Sequence, residues 1–248
     1  MKVVGVIQAR MGSTRLPGKV LRMLEGSSVL AHVIARVSGC PRVDRVVVAT
    51  TDQPGDDAVA LESRAWSADV FRGSEDDVLS RYYGAARATS ADVVVRVTSD
   101  CPLFDGSLLT RMLAEFFGAA GAQDQADYLS NTLIRSYPRG LDTEIFTFDA
   151  LARAHREAGK LYQREHVTPY IWQNPQLFRL RNFAGEQDLS HHRWTLDTEA
   201  DWTLIQAVYS ALGQEGRSFS TDDVLRLLTS RPELVRINAD VPQKRLEA

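Results

Sequence analysis

Residues 7 to 19 read IQARMGSTRLPGK, with Arg10, Arg15 and Lys19 interleaved among Gly12, Ser13, Pro17 and Gly18. Two guanidiniums offer forked donors and the ammonium offers a point charge. Glycine and serine let backbone N–H groups approach an anion closely. Together these residues can bind and neutralise a polyphosphate. The two common phosphate-cradling signatures, GxxxxGK followed by Ser or Thr and GxGxxG, are absent. One basic residue in a loop is ordinarily solvated surface charge. Three cations among small residues, directly after an apolar run, favour an anion site.

The elements around this loop must place it at a sheet edge. VVGVI (3–7) is a short β-branched run, and DRVVVAT (44–50), ADVFR (68–72) and DVVVRV (92–97) read as further strands. Between and after them lie helical stretches: one capped by Ser27 or Ser28 and running to Val37, then 56–65, 74–89 and 106–117. This alternation predicts an α/β fold with a mostly parallel, Rossmann-like sheet and helices on both faces. In such a sheet, ligands sit beyond the carboxyl ends of the strands, where a loop after the first strand lies. After residue 120 the pattern loosens. AGAQDQA (120–126) is the expected excursion, and strands are expected at 127–131, 143–148 and 176–183. Further helices are expected at 149–158, 163–173, 199–212 and 221–229. The expectation is one α/β domain with a β-rich insertion.

Composition excludes several classes. A net charge of −3 over 248 residues gives no global basic field for nucleic acid. Cys40 and Cys101 show no metal-ligand spacing, which fits a reducing cytoplasm and argues against structural zinc. The opening apolar run is too short for a signal peptide, and no run approaches the roughly 18 apolar residues of a membrane span. His191 and His192, adjacent in sequence, do not make a good metal site on one helix face. No Ser/His/Asp or Cys/His set stands out for covalent catalysis.

ARMGSTRLPGK resembles the signature of cytidylyltransferases that activate sugars with CTP. The likeness is to the 3-deoxy-manno-octulosonate and acylneuraminate enzymes, and closest to the spore-coat polysaccharide biosynthesis branch. It continues through VVVATTDQPGDD (46–57), VFRGSEDDVLSRYYGAA (70–86), VVVRVTSDCPL (93–103), DYLSNT (127–132), GLDTEIF (140–146), REHVTPYI (164–171) and TLDTEADW (195–202). The resemblance implies one nucleotidyltransferase domain over 1–248, with an acceptor-binding and dimerisation insertion around 127–183. It also implies a cytoplasmic homodimer acting on CTP and a small-molecule acceptor, with no nucleic-acid or membrane partner.

The resemblance also assigns residues. Arg10, Arg15, Lys19 and Asp100 are the expected catalytic set, and Asp100 and Asp197 the expected ligands of Mg²⁺. On residue type alone a turn before Pro102 is the commoner role for Asp100, and a helix N-cap for Asp197; the matched context favours the metal role. Where the octulosonate enzymes typically have Gly-Asp-Glu-Pro, this chain has Ser99-Asp100-Cys101-Pro102, so the acidic neighbour is lost; Cys101 is expected to pack rather than react. Nucleotide contacts are expected from Gly12, Ser13, Ser74, Asp77 and Arg81 as well as the three cations. Ser74 and Asp77 also have capping-box spacing, and Arg81 faces either the nucleotide or solvent. Acceptor contacts are expected from Asn131, Asp142, Glu144, Arg164, Glu165 and His166.

The implied reaction is attack of an acceptor oxygen on the α-phosphorus of CTP, with pyrophosphate leaving. A sugar or sugar-acid hydroxyl is the expected acceptor. The alternatives are a phosphate or phosphonate acceptor, a different nucleotide, or a nucleotide-binding protein without catalysis. An anionic acceptor needs further basic residues, and Arg135, Arg139 and Arg164 are available. Ile145, Phe146, Ile171 and Trp172 are apolar candidates for a dimer face or, equally, for the core.

Overall fold

The computed structural model describes residues 1–118, 125–213 and 218–243. Most of the expected 120–126 excursion lies outside them. β1 (Val3–Gln8) leads through the basic loop to a short hairpin, β2 (Met23–Leu24) and β3 (Ser27–Ser28). Its two turn residues, Glu25 and Gly26, both have positive φ, as a two-residue hairpin requires. Ser28 then caps α1 (Val29–Ser38) by accepting from the Ala31 N–H at 3.0 Å. There follow β4 (Arg45–Thr51), α2 (Asp57–Ala65), β5 (Asp69–Gly73), α3 (Val78–Ala88), β6 (Val93–Thr98) and α4 (Gly106–Phe117). The second half supplies β7 (Tyr128–Ser130), β8 (Glu144–Thr147), α5 (Phe148–Glu157), α6 (Leu161–His166), α7 (Pro169–Trp172) and β9 (Leu180–Asn182). The chain closes with α8 (Glu199–Leu212), α9 (Thr221–Ser230) and α10 (Glu233–Arg236).

Seven strands form one sheet in the order β5-β4-β1-β6-β8-β7-β9. Only β8 runs antiparallel, paired with β6 on one side and β7 on the other. The period-2 alternation splits the core. Val3, Ile7, Val46, Val48, Val93, Val95 and Val97 pack under α1, α4, α8 and α9. Val4, Val6, Val47, Ala49 and Val94 pack under α3 and α5. The α/β class and the mostly parallel sheet are as expected. Both cysteines are free and buried. Among the described residues no helix is long and apolar enough to cross a membrane.

Three expectations are corrected. The 163–173 helix is two pieces, because Val167 has φ 73° and ψ −58° and the Thr168 N–H bonds back to His166 O at 2.9 Å, a γ-turn. Pro169 then starts α7, where its missing N–H costs nothing. The helix expected from residue 74 begins at Val78 and is capped by Asp77. Ser74 accepts from the Asp77 N–H instead of capping. Ile145, Phe146 and Ile171 are fully buried in the chain's own core, which removes them from a dimer face.

Candidate active site

β4 and β5 lie to one side of β1 and β6 to the other, so connections diverge at the carboxyl ends of β1 and β6. Such a switch point is where an open α/β sheet makes its crevice. The loop after β1 and Asp100, two residues beyond β6, meet there. The loop is pinned from below: the Met11 N–H donates to Asp56 Oδ1 at 2.7 Å, and Thr51 Oγ1 donates to the same carboxylate. Gly18 has φ 68°, a left-handed turn that suits glycine and turns the chain into Lys19.

Lys19 Nζ donates to Asp100 Oδ2 at 2.8 Å, Asp197 Oδ1 at 2.9 Å and the Leu196 carbonyl at 2.7 Å. Thr98 Oγ1 holds Asp100 Oδ1 at 2.6 Å. Arg15 Nη2 and Arg193 Nη2 hold Asp197 Oδ2 at 3.1 Å and 2.9 Å. Burial alone would lower the Lys19 pKa, but the charges of Asp100 and Asp197 outweigh it and raise it. Burial would raise Asp100, and the Lys19 ammonium with the Thr98 hydroxyl outweighs that and lowers it. The helix-cap alternative for Asp197 is excluded: Thr198 caps α8, in a capping box with Asp201. Asp201 is fully buried and holds both Arg193 and the Asp197 N–H, so it fixes the Asp197 carboxylate.

Arg10, Gly12 and Ser13 lie at the outer side of the loop. Arg10 Nη1 pairs with Glu75 Oε1 at 3.3 Å, Gly12 is exposed, and Ser13 Oγ accepts from the Leu16 N–H. Arg81 faces neither solvent nor the cleft. It is 2% exposed, and Nη1 donates to the Ser74 carbonyl at 2.9 Å, which shapes the turn before α3. Asp77 is tied to Arg164, whose Nε donates to both its oxygens at 3.1 Å. The expected nucleotide residue and acceptor residue thus bind each other.

A cleft of about 890 Å³ opens beside the Lys19 cluster. Asp100, Asp142, Glu144, His166 and Asp197 line it, while Asn131, Arg164 and Glu165 do not. Asn131 is buried and latches the 141–143 turn, donating to Leu141 O at 2.8 Å and accepting from the Thr143 N–H at 2.9 Å. Glu165 is exposed. Asp142 is engaged by both Nη atoms of Arg135, at 2.6 and 2.8 Å. Glu144 is paired with Arg96 and accepts from Tyr128 and Thr168. Arg139 also lines the cleft, and among the described residues its guanidinium makes no hydrogen bond or ion pair. Burial, then the like charge of Arg135, lowers its pKa. Gly140 beside it has φ 103°, and a Cβ there would lie 2.5 Å from the Trp194 carbonyl carbon. This close approach brings the Arg139 loop against the strand-like segment carrying Arg193.

Sequence reasoning did not single out Gln8, Arg96, Thr98 or Thr168 as cleft residues, nor Arg193 and Asp201 as its supports. A signal existed in VVVRVT: a charged and a hydroxyl side chain at alternate positions of a buried strand share one face and require polar partners.

The sequence matches the model of the cytidylyltransferase family over residues 4–211. The chain belongs to this family. It is 34% identical over 238 residues to the spore coat polysaccharide biosynthesis protein SpsF of Bacillus subtilis, covering 93% of this chain and 95% of that one. The structure of a cytidylyltransferase from Leptospira borgpetersenii superposes with a TM-score of 0.89 at 33% identity, covering 99% and 100% of the two chains. A 3-deoxy-manno-octulosonate cytidylyltransferase of Trichlorobacter lovleyi is 34% identical over 124 residues, 49% of this chain and 47% of that one. The protein is a nucleotidyltransferase. The polar cluster at the β1–β6 switch point is the candidate active site of this cytidylyltransferase.

Proposed function

We propose that the enzyme transfers the cytidylyl group of CTP to a hydroxyl of a sugar or sugar acid, with Mg²⁺ as cofactor. A CMP-linked product and pyrophosphate result. The observation that carries this reading is the position of Lys19 Nζ, within 2.8 Å of Asp100 and 2.9 Å of Asp197. One cation already stands between two carboxylates at the switch point, and the donor set suits Mg²⁺. That ion takes one or two carboxylates and completes its shell with waters and phosphate oxygens. Bound there, it would neutralise charge developing on the phosphates.

The chain's own residues supply the rest. Arg10, Arg15 and Lys19 draw the triphosphate into the loop, with backbone N–H groups around Gly12 and Ser13 available to its oxygens. Thr98 holds the Asp100 carboxylate, and Arg193 and Asp201 hold Asp197, so these groups do not reorganise during reaction. The acceptor lies in the cleft against the 127–183 segment, with its attacking oxygen toward Asp100. Positioning and charge neutralisation supply most of the acceleration, and no covalent nucleophile is required. Arg139, which lines the cleft and whose guanidinium makes no hydrogen bond or ion pair among the described residues, favours an acceptor with an anionic group, either a sugar acid or the phosphate or phosphonate of the second reading. The cytoplasmic homodimer implied by the family resemblance belongs to the same reading, and sedimentation velocity tests its dimeric part.

Calorimetric titration with CTP, UTP, ATP and GTP, with and without Mg²⁺, tests the nucleotide. Selective, metal-enhanced CTP binding is expected, and preference for another nucleotide overturns the base assignment. Pyrophosphate release with a panel of neutral sugars, sugar acids and phosphonates then identifies the acceptor class.

A further inference from the structure

The three donors of the Lys19 ammonium meet three oxygens, at 2.7, 2.8 and 2.9 Å. Asp100 Oδ1 is occupied by Thr98, and Asp197 Oδ2 by Arg15 and Arg193. The remaining oxygens, Asp100 Oδ2 and Asp197 Oδ1, converge on one point, and Nζ sits on it. Mg²⁺ takes its oxygens at about 2.0–2.1 Å. It cannot share that point with an ammonium bonded to the same two oxygens. Nor can the point stand empty: Asp197 keeps Arg15 and Arg193, but the Asp100 side chain is 24% exposed and among the described residues forms an ion pair with Lys19 alone, and a partly buried carboxylate needs a counter-charge.

We propose that Lys19 is an internal counter-ion that closes the metal position in the free enzyme, and that CTP opens it. The phosphates draw the ammonium off the carboxylates, and the divalent ion replaces it. One cation is exchanged for another without leaving Asp100 unpaired. Metal and nucleotide therefore bind as a positively coupled pair, and metal alone binds weakly. By linkage the coupling is reciprocal: Mn²⁺ tightens CTP by the factor by which CTP tightens Mn²⁺. The proposal rests on the reading of Asp100 and Asp197 as metal ligands.

The test uses the full chain with Mn²⁺ as the probe, its binding followed by electron paramagnetic resonance with the Mn²⁺·CTP complex in solution accounted for. Wild type is expected to bind Mn²⁺ at least about 10-fold more tightly with CTP than without. Lys19→Met is expected to bind Mn²⁺ alone at least about 10-fold more tightly than wild type does. Mn²⁺ should also raise its unfolding temperature, and not that of wild type. Lys19→Gln, uncharged but still able to hydrogen-bond, answers the same question if Lys19→Met does not fold. Wild type that binds Mn²⁺ equally with and without CTP overturns the proposal, as do uncharged Lys19 variants with wild-type affinity for Mn²⁺ alone. Asp100→Asn separates the two layers. Unchanged Mn²⁺ binding in the presence of CTP refutes the ligand reading and the exchange with it; weakened binding beside unchanged Lys19 variants refutes the exchange alone.

Discussion

Arg164 and Asp77, 87 residues apart, are bound to each other: Arg164 Nε lies 3.1 Å from both carboxylate oxygens. Asp77 Oδ1 also accepts from the Ser80 N–H at 2.9 Å, so one carboxylate caps α3 and anchors α6. Arg164 in turn donates to His155 O at 2.7 Å, which adds α5 to the junction. The wall of the cleft is thereby fastened to the helix that follows β5.

Arg164→Ala should therefore cost stability before it costs chemistry. Loss of charge-assisted bonds to a half-buried carboxylate is expected to lower unfolding free energy by about 2 kcal/mol. Urea denaturation measures this. An unchanged midpoint would remove the pair from the structural frame.

Asp100→Ala is expected to reduce turnover at least about 100-fold, with circular dichroism unchanged. Lys19 keeps Asp197 and the Leu196 carbonyl as partners, so the fold survives the substitution. Pyrophosphate release is the assay, and an active, metal-dependent variant would sink the metal assignment.

Arg15 and Arg139 should separate the two substrates. Arg15→Ala is expected to weaken CTP binding by about 2 kcal/mol, one charge-assisted contact. Arg139→Ala is expected to raise the acceptor KM about 10-fold or more while CTP affinity holds. Calorimetry and steady-state kinetics read the two effects, and the opposite pattern would exchange their roles.

Asp105 links the site's scaffold to pH. Its carboxylate accepts from the Ser107 N–H and hydroxyl at the start of α4, and from the Thr221 N–H and hydroxyl at the start of α9. Burial would raise its pKa, but these hydrogen bonds outweigh it and hold it below the ordinary aspartate range. A depressed folded-state pKa contributes stability that is fully present above the unfolded value, about pH 4, and is lost as pH falls through the folded value. Wild-type urea midpoints should therefore fall between about pH 5 and about pH 3 more steeply than those of Asp105→Asn. Equal slopes would deny Asp105 this contribution.

The sequence by itself determined the alternation of strands and helices, because buried β-branched runs such as DVVVRV and capped amphipathic stretches carry their periodicity locally. It also marked the basic loop, since the positions of Arg10, Arg15 and Lys19 after β1 follow from chain order alone. Only the tertiary structure decided which polar groups meet. Arg164 and Asp77 read as parts of two different subsites, yet they neutralise each other. Arg81 read as facing ligand or solvent, yet it is buried at 2% exposure. Arg139 became distinct from Arg135 only once Asp142 was found on Arg135. Lys19, Asp100 and Asp197 lie up to 178 residues apart, and no local pattern encodes their convergence. It comes from the order in which β1 and β6 lie side by side and from the Asp201–Arg193 support behind Asp197. A charge finds its partner across the fold, where burial requires one, and local periodicity does not record that partner.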